Sequence, residues 1–260
     1  MKTLPELPTA TVAEQDGLRT LHLGDSPWVQ GAMLVREPRV IVLEYVQRMM
    51  AWMLWRDSAE VAQGHAVQLG LGAAAITRFC HQVLRMQRVS AIELNPAVIA
   101  ACRHAFRLPA DDARLSVLQV DAGQWVGDEA NLQTAQVLNV DLYDQDAAAP
   151  VLDSQAFYAA CRAALAHGGL MTVNLFGRAS SFEQSAARIA AAFGRDQVWC
   201  LRPTREGNTV VVAARGVEVP AREVLSARAA TIERKFGLPA RKWLRMVRPL
   251  RDYPLSGASP

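Results

Sequence analysis

Four carboxylates and two glycines in the middle of this 260-residue chain have the types and spacing to do chemistry. Gly70-Leu71-Gly72 closes the apolar run AVQLG and precedes a helical pattern. Glycine there lets the backbone approach a ligand where a helix N-terminus offers unpaired N–H groups, although a tight strand-to-helix turn also needs glycine for φ alone. Ala73, Ala74 and Ala75 follow, so the third glycine of a pyrophosphate fingerprint is missing and a nucleoside without phosphates is the better ligand. Glu93 ends VSAIEL, 23 residues after Gly70, a position from which an acid accepts hydrogen bonds from ribose hydroxyls. Asp121 closes the strand in LQVDAG, where a carboxylate can accept from an adenine amino group, cap a short helix, or do both. The strand QVLNVD delivers Asp141, with Asp144 three residues later. Two carboxylates sharing a desolvated crevice repel, so one can act as a base while the pair attracts a cation such as a diamine. A solvated acidic loop after the strand is the competing explanation for this pair.

The elements that must position these residues alternate. Strand patterns in AVQLG, VSAIEL, LSVLQV, QVLNVD and LMTVNLF are separated by helical stretches, including Ala73 to Met86, Pro96 to Phe106 and Ser154 to Ala166. Such alternation predicts a parallel sheet of right-handed βαβ units. A helix over roughly Ser181 to Phe193 leads to VWCLRP and NTVVVAA, which predict an antiparallel hairpin at the sheet edge. The fold class expected is α/β, a Rossmann-like sheet of the methyltransferase type with a small N-terminal β-hairpin from Leu18 to Val35. Val40 to Trp55 reads as a helix opened by Glu37-Pro38. The expected organisation is a loosely attached segment 1–16, a hairpin and helix over 17–60, a cofactor-binding domain over 61–216, and a basic helical tail over 217–260.

Composition narrows the classes. With 51% hydrophobic and 20% charged residues the chain can bury one large core. Cys80, Cys102, Cys161 and Cys200 form no CxxC pair and no metal-ligand spacing, so they are expected to be free cysteines in a reducing compartment, with no metal. No run approaches a membrane span, and a cytoplasmic protein is expected. Net charge is +3, yet Arg222 to Arg251 holds nine Arg or Lys against Glu223 and Glu233. Leu225, Ala229, Ile232 and Phe236 fall on one helical side, so this stretch reads as a solvated helix face and not as a nucleic-acid footprint.

Taken together, these residues resemble the spermidine synthase family, the polyamine aminopropyltransferases, and in particular its divergent bacterial members. The resemblance runs from about Leu18 to Gly177. Leu21 to Gln30 is similar to the family's N-terminal hairpin, which implies that Gln30 contacts the cofactor. Gly70 and Gly72 fall on its glycine loop, Ile92-Glu93-Leu94-Asn95-Pro96 on its ribose-binding segment, and Val120-Asp121-Ala122 on its adenine segment. Asp141-Leu142-Tyr143-Asp144 resembles its paired-aspartate signature, which implies Asp144 as base, Asp141 as amine anchor and Tyr143 as a wall of the diamine pocket. The chain departs from the pattern at three places. Ala73 stands where the family has an aspartate for the aminopropyl amine, Val46-Gln47-Arg48 replace Tyr-His-Glu, and Gln145 replaces a proline.

What the resemblance implies is aminopropyl transfer from decarboxylated S-adenosylmethionine to putrescine or a related amine, with methylthioadenosine as product and a homodimer as the assembly. Methyl transfer from intact S-adenosylmethionine and a non-catalytic homologue that kept the fold are the alternatives.

Overall fold

The computed structural model describes residues 7–143, 150–177 and 179–253. The chain opens with a three-stranded antiparallel sheet, β1 (Ala10–Gln15), β2 (Leu18–Leu23) and β3 (Gly31–Leu34), in that spatial order. The expected two-stranded hairpin is therefore one strand short. Asp16 and Gly17 both take positive φ (51° and 77°), the signature of the tight turn that Asp-Gly favours in hairpins. That turn folds 10–15, expected to be loose, back onto β2, with Ala10 opposite Leu23 and Gln15 opposite Leu18. Few apolar residues mark β1 because all but its first residue are exposed.

The expected helix from Val40 to Trp55 is also shorter. Pro38 opens only a single turn, closed by Val40 N–H donating to Glu37 O at 3.0 Å, and α1 proper runs Glu44–Met49. Met50–Leu54 continue as a 3₁₀ turn in which every residue is buried, so helical periodicity gave no way to place its end.

The main sheet has eight strands. Five are parallel: β4 (His65–Leu69), β5 (Arg88–Glu93), β6 (Leu115–Gln119), β7 (Ala135–Val140) and β8 (Leu165–Phe176). Connecting them are α2 (Ala75–Arg78), which passes into a π-helical turn, α3 (Pro96–Ala105), α4 (Ala122–Gly127) and α5 (Gln155–Ala164). After α6 (Ala179–Phe193) come β9 (Val198–Cys200) and β10 (Asn208–Ala214), the expected antiparallel pair. They do not end the sheet. Past α7 (Arg222–Phe236) and α8 (Ala240–Met246), a two-residue strand β11 (Arg248–Pro249) pairs with β9, giving the order β11-β9-β10-β8-β7-β4-β5-β6. Gly168 and Gly169 lie inside β8, where the register with β7 shifts as at a β-bulge.

Alternation along the strands fills two cores, one on each face. In β10, Val210, Val212 and Ala214 belong to the side covered by α1, α2, α3 and the C-terminal helices, while Val211 and Ala213 belong to the side covered by α4, α5 and α6. The basic tail is anchored. Ala229 and Ile232 are buried with Leu225 and Phe236 packed beside them, and Trp243 and Leu250 are buried as well. No helix among the described residues is long and apolar enough to cross a membrane.

One buried group makes the fold acid-sensitive. His65 on β4 places Nε2 2.8 Å from Ser90 Oγ, and burial, helped by the nearby Arg88 charge, holds its imidazole down at about 4. Its unfolded value is about 6.5, so between these limits the unfolded chain binds the extra proton and stability falls as pH falls. At about 1.4 kcal/mol per pH unit, the loss between pH 6.5 and 5 is about 2 kcal/mol. Urea unfolding at the two pH values checks this, with His65→Gln expected to lose less by that amount.

Candidate active site

The parallel strands run in opposite spatial directions from β4, outward through β5 and β6 on one side and through β7 and β8 on the other. Open α/β sheets bind ligands outside the strand C-termini at such a switch point. Here the end of β4 meets those of its two neighbours: Asp141 N–H, just past β7, donates to Leu69 O at 3.0 Å, and Gly70 N–H donates to Ile92 O of β5 at 2.9 Å. Above them opens a cleft of about 1030 Å³. Gln30, Gly70, Gly72, Glu93, Asp121, Ala122, Asp141 and Tyr143 all line it. Asp144 and Gln145 lie outside the described residues.

Gly70 is sterically required, and Gly72 is closely packed. Gly70 has φ +82°, and a Cβ on it would sit 2.1 Å from the carbonyl oxygen of Asp141; Gly72, with φ +49°, would bring a Cβ 3.0 Å from Gln30 O. The loop is thus pressed between β7 and the N-terminal segment. Ala74 also takes a left-handed φ, +57°, without being glycine. Left-handed backbone costs an L-residue about 1–2 kcal/mol, but glycine entropy of about 0.5–1 kcal/mol and loss of the fully buried Ala74 methyl, about 0.8 kcal/mol, offset it, so Ala74→Gly is expected to leave stability within about 1 kcal/mol of wild type. Denaturant unfolding of this variant is the measurement.

The acids differ in how they are held. Glu93 accepts Leu71 N–H at 2.9 Å and Asn95 N–H at 2.8 Å, which ties the end of β5 to the glycine loop. Burial pushes its carboxyl up, opposed by these backbone N–H groups and that of Leu94. Asn95 caps α3 through Ala97 N–H at 2.9 Å, and Asp121 caps α4 through Gln124 N–H at 2.9 Å, so Asp121 serves the helix while lining the cleft. Asp141 is bracketed by two donors. Asn174 Nδ2 donates to its Oδ1 at 2.9 Å, and the Tyr45 hydroxyl donates from the other element. Burial raises the Asp141 carboxyl, and both donors work against that rise. Tyr143 lines the cleft with its hydroxyl engaged, donating to Asn174 O at 3.0 Å and accepting Phe176 N–H at 2.6 Å.

Charge in the cleft is one-sided. Glu44, Glu93, Asp121, Asp141 and Glu206 line it, and no Lys, Arg or His does among the described residues, in a chain of net charge +3. Glu44 is the acid already neutralised, bonded to Lys242 Nζ at 2.7 Å and Arg48 at 2.8 Å, which hold its carboxyl low. These carboxylates can receive a cation bearing N–H donors, and the part-apolar walls can receive a nucleoside. No group of three or more potential metal ligands clusters among the described residues.

Known proteins share the fold. No family model matches the chain. A polyamine aminopropyltransferase of Neisseria meningitidis is 29% identical over 206 residues, covering 79% of this chain and 76% of that one. Among solved structures, a probable spermidine synthase from Corynebacterium glutamicum superposes with a TM-score of 0.69 over 90% of each chain, at 19% identity. The chain is thus similar to polyamine aminopropyltransferases in sequence and to a probable spermidine synthase in fold. Proteins so named are transferases. The fold itself is wider than the family: human methyltransferase-like protein 13, solved with SAH, gives a TM-score of 0.66 at 19% identity, over 84% of this chain and 98% of that one.

The structure shows where the departures from the spermidine synthase pattern sit. Ala73 is 2% exposed and packs so tightly on Gly31 that a Cβ on that glycine would lie 2.6 Å from its own. Gln47 and Arg48 are spent on structure, Gln47 donating to Ile41 O at 2.7 Å and Arg48 joining Glu44 to the backbone of Arg202. Tyr45, two residues before Gln47, is the tyrosine that reaches the cleft. Sequence reasoning passed over it, along with Asn174, Asn208 and Glu206. A signal existed for Asn174, a lone amide within the apolar strand LMTVNLF, whose Oδ1 accepts from Asn208 Nδ2 at 3.1 Å. Trp28 also lines the cleft and meets Phe176 edge-on at 5.8 Å.

Proposed function

We propose that the chain transfers an aminopropyl group from decarboxylated S-adenosylmethionine to putrescine or a related amine. The observation that carries this reading is the cleft lined by five carboxylates and, among the described residues, by no basic side chain. A cationic donor without a carboxylate suits that lining, and so does a cationic acceptor. Glu93 and Asp121 are assigned to the ribose and adenine, Gln30 and Ala122 to further nucleoside contacts, and Gly70 and Gly72 to the close-approach loop. Asp141, steadied by Asn174 and Tyr45, anchors the acceptor amine, Tyr143 walls its pocket, and Asp144 is assigned as base.

The chemistry asked of these residues is modest. A neutral amine nitrogen attacks the carbon beside the sulfonium, the C–N bond forms as the C–S bond breaks, and methylthioadenosine leaves. The carboxylates take the proton that the acceptor ammonium must lose, and the walls hold the two reactants in line.

Methyl transfer from intact S-adenosylmethionine has one observation in its favour, alanine at position 73, where an acid would select against the α-carboxylate. The cleft lining argues the other way, because it offers that carboxylate no cationic side chain. Calorimetry with both nucleosides separates the two: tighter binding of the decarboxylated form is expected, and preference for the carboxylated form would reject aminopropyl transfer.

We also infer 61–216 as the cofactor-binding unit, flanked by 17–60 and 217–260, and a homodimer as the assembly. The outermost strand β1 supports pairing, since its unpaired edge is exposed and carries Val12 at 43% exposure. Sedimentation equilibrium reads the dimer directly, and a monomer at micromolar concentration would refute it.

A further inference from the structure

A row of buried polar side chains leads from the turn between β9 and β10 to Asp141. Thr204, Asn208 and Asn174 form it and are 7%, 8% and 4% exposed. Two bonds between the same residues close the turn, Thr204 N–H donating to Asn208 O at 2.8 Å and Asn208 N–H to Thr204 Oγ1 at 3.1 Å. Asn208 opens β10, and its Nδ2 donates across to Asn174 Oδ1 on β8 at 3.1 Å. Asn174 Nδ2 donates in turn to Asp141 Oδ1 at 2.9 Å.

The direction of this row is fixed from its far end. An ionised carboxylate accepts and never donates, so Asn174 must turn its amino group to Asp141 and its carbonyl to Asn208. Asn208 must then present its own amino group to Asn174, which leaves its Oδ1 facing the Thr204 hydroxyl at 3.5 Å. That hydroxyl already accepts the Asn208 N–H, so its proton is available to Oδ1. Every donor in the row thus points toward Asp141. Aligned hydrogen bonds polarise one another, which strengthens the last of them. Bracing the hairpin would not by itself need amides. The neighbours on the same face, Leu170 in β8 and Val210 and Val212 in β10, are apolar, and an amide buried among them costs free energy unless its bonds are made.

We propose that Asn208 and Thr204 are positioning residues which, acting through Asn174, hold Asp141 as an anion in its cleft-facing orientation. The bearing of this role on catalysis rests on the aminopropyl transfer proposed above. Without Asn208 the Asn174 amide loses the partner that distinguishes its two ends, and its carbonyl can turn onto the carboxylate. Asp141 is then harder to ionise. Tyr45 from α1 and Tyr143 just past β7 face Asp141 as well, but burial raises both hydroxyls, so neither titrates in the carboxylate range. The other acids of the cleft, Glu44, Glu93, Asp121 and Glu206, remain in every variant below, and no Lys, Arg or His lines it among the described residues.

The test is titration of the Asp141 carboxyl carbon by NMR in the unliganded, carbon-labelled protein, the signal being assigned by its loss in Asp141→Asn. In Asn208→Leu, which keeps the size of the side chain without its donor, the midpoint is expected to move up by about one pH unit. Thr204→Val is expected to move it the same way by less, and Thr204→Ser, which keeps the hydroxyl, to leave it at the wild-type position. In turnover with putrescine, Asn208→Leu should lower kcat/KM about ten-fold on the acidic limb and less than about three-fold on the plateau, where Asp141 is ionised in both proteins. An unmoved midpoint in folded Asn208→Leu would overturn the inference, and so would an equal loss of rate at every pH, which a merely structural role would give. Should Asn208→Leu fail to fold, the Thr204 variants decide, and a valine variant that titrates like the serine variant would overturn it. If the midpoint moves as expected while wild type transfers no aminopropyl group, the proposed function alone falls and the positioning of Asp141 stands.

Discussion

Replacing Asp141 with asparagine is expected to lower kcat/KM for the amine acceptor by about 10³-fold, the scale of about 4 kcal/mol for losing one member of a buried charge pair. The fold should survive, because an asparagine Oδ1 can still accept from Asn174 Nδ2, the bond that spans 2.9 Å in the wild type. A pH profile distinguishes lost charge from lost shape. Burial raises the Asp141 carboxyl above its ordinary range, and only the ionised form holds an ammonium, so wild-type kcat/KM should rise with pH through that raised value. Asp141→Asn should lack this acidic limb. A variant with the same limb and a small loss of rate would move the amine anchor elsewhere in the cleft.

Gly70→Ala carries the second large effect. The added Cβ would lie 2.1 Å from the Asp141 carbonyl oxygen, a backbone atom that cannot swing aside, at a φ of +82°. Left-handed strain and overpacking together are expected to cost about 3 kcal/mol of stability. Affinity for methylthioadenosine should fall more than 100-fold, since the loop N–H groups shift with the backbone. Gly72→Ala is the control for position: its Cβ would meet Gln30 O at 3.0 Å, so it should cost less on both measurements. Calorimetry and chemical unfolding of the two variants give the order, and a Gly72→Ala more damaging than Gly70→Ala would contradict it.

The parallel sheet was legible because each strand ends in punctuation that physics requires. Gly70, Glu93, Asp121 and Asp141 all sit at or just past strand ends, so the alternation that predicted the sheet also brought them to one edge. What escaped the sequence lacks periodicity. Strand β1 is nearly all exposed and depends on the Asp16-Gly17 turn, and the stretch Met49 to Leu54 is buried all round and shows no amphipathic face. β11 is two residues long and exists because the tail returns to β9. Tyr45, Asn174 and Asn208 escaped for a different reason: their chemistry is relational, one carboxylate reached from α1 and a chain of amides across β8 and β10. No spacing along the chain encodes that meeting.

The tail has consequences for the site beyond its charge. Lys242 on α8 bonds Glu44 at 2.7 Å, and Arg48 links Glu44 to the backbone of Arg202 beyond β9. One acid of the cleft is thereby compensated by cations and fixed, while Asp141 has uncharged donors, Asn174 and Tyr45, beside it. That unequal treatment of two carboxylates in the same cleft is why Asp141, and not Glu44, is the proposed amine anchor.

The most direct test of the account is release of methylthioadenosine when the wild-type chain is given decarboxylated S-adenosylmethionine and putrescine, with Asp141→Asn and Asp144→Asn alongside. Catalytic release by wild type, dependent on the amine and greatly reduced in both variants, is the predicted result. No release by wild type with putrescine or related diamines, or release that both variants match, would contradict it.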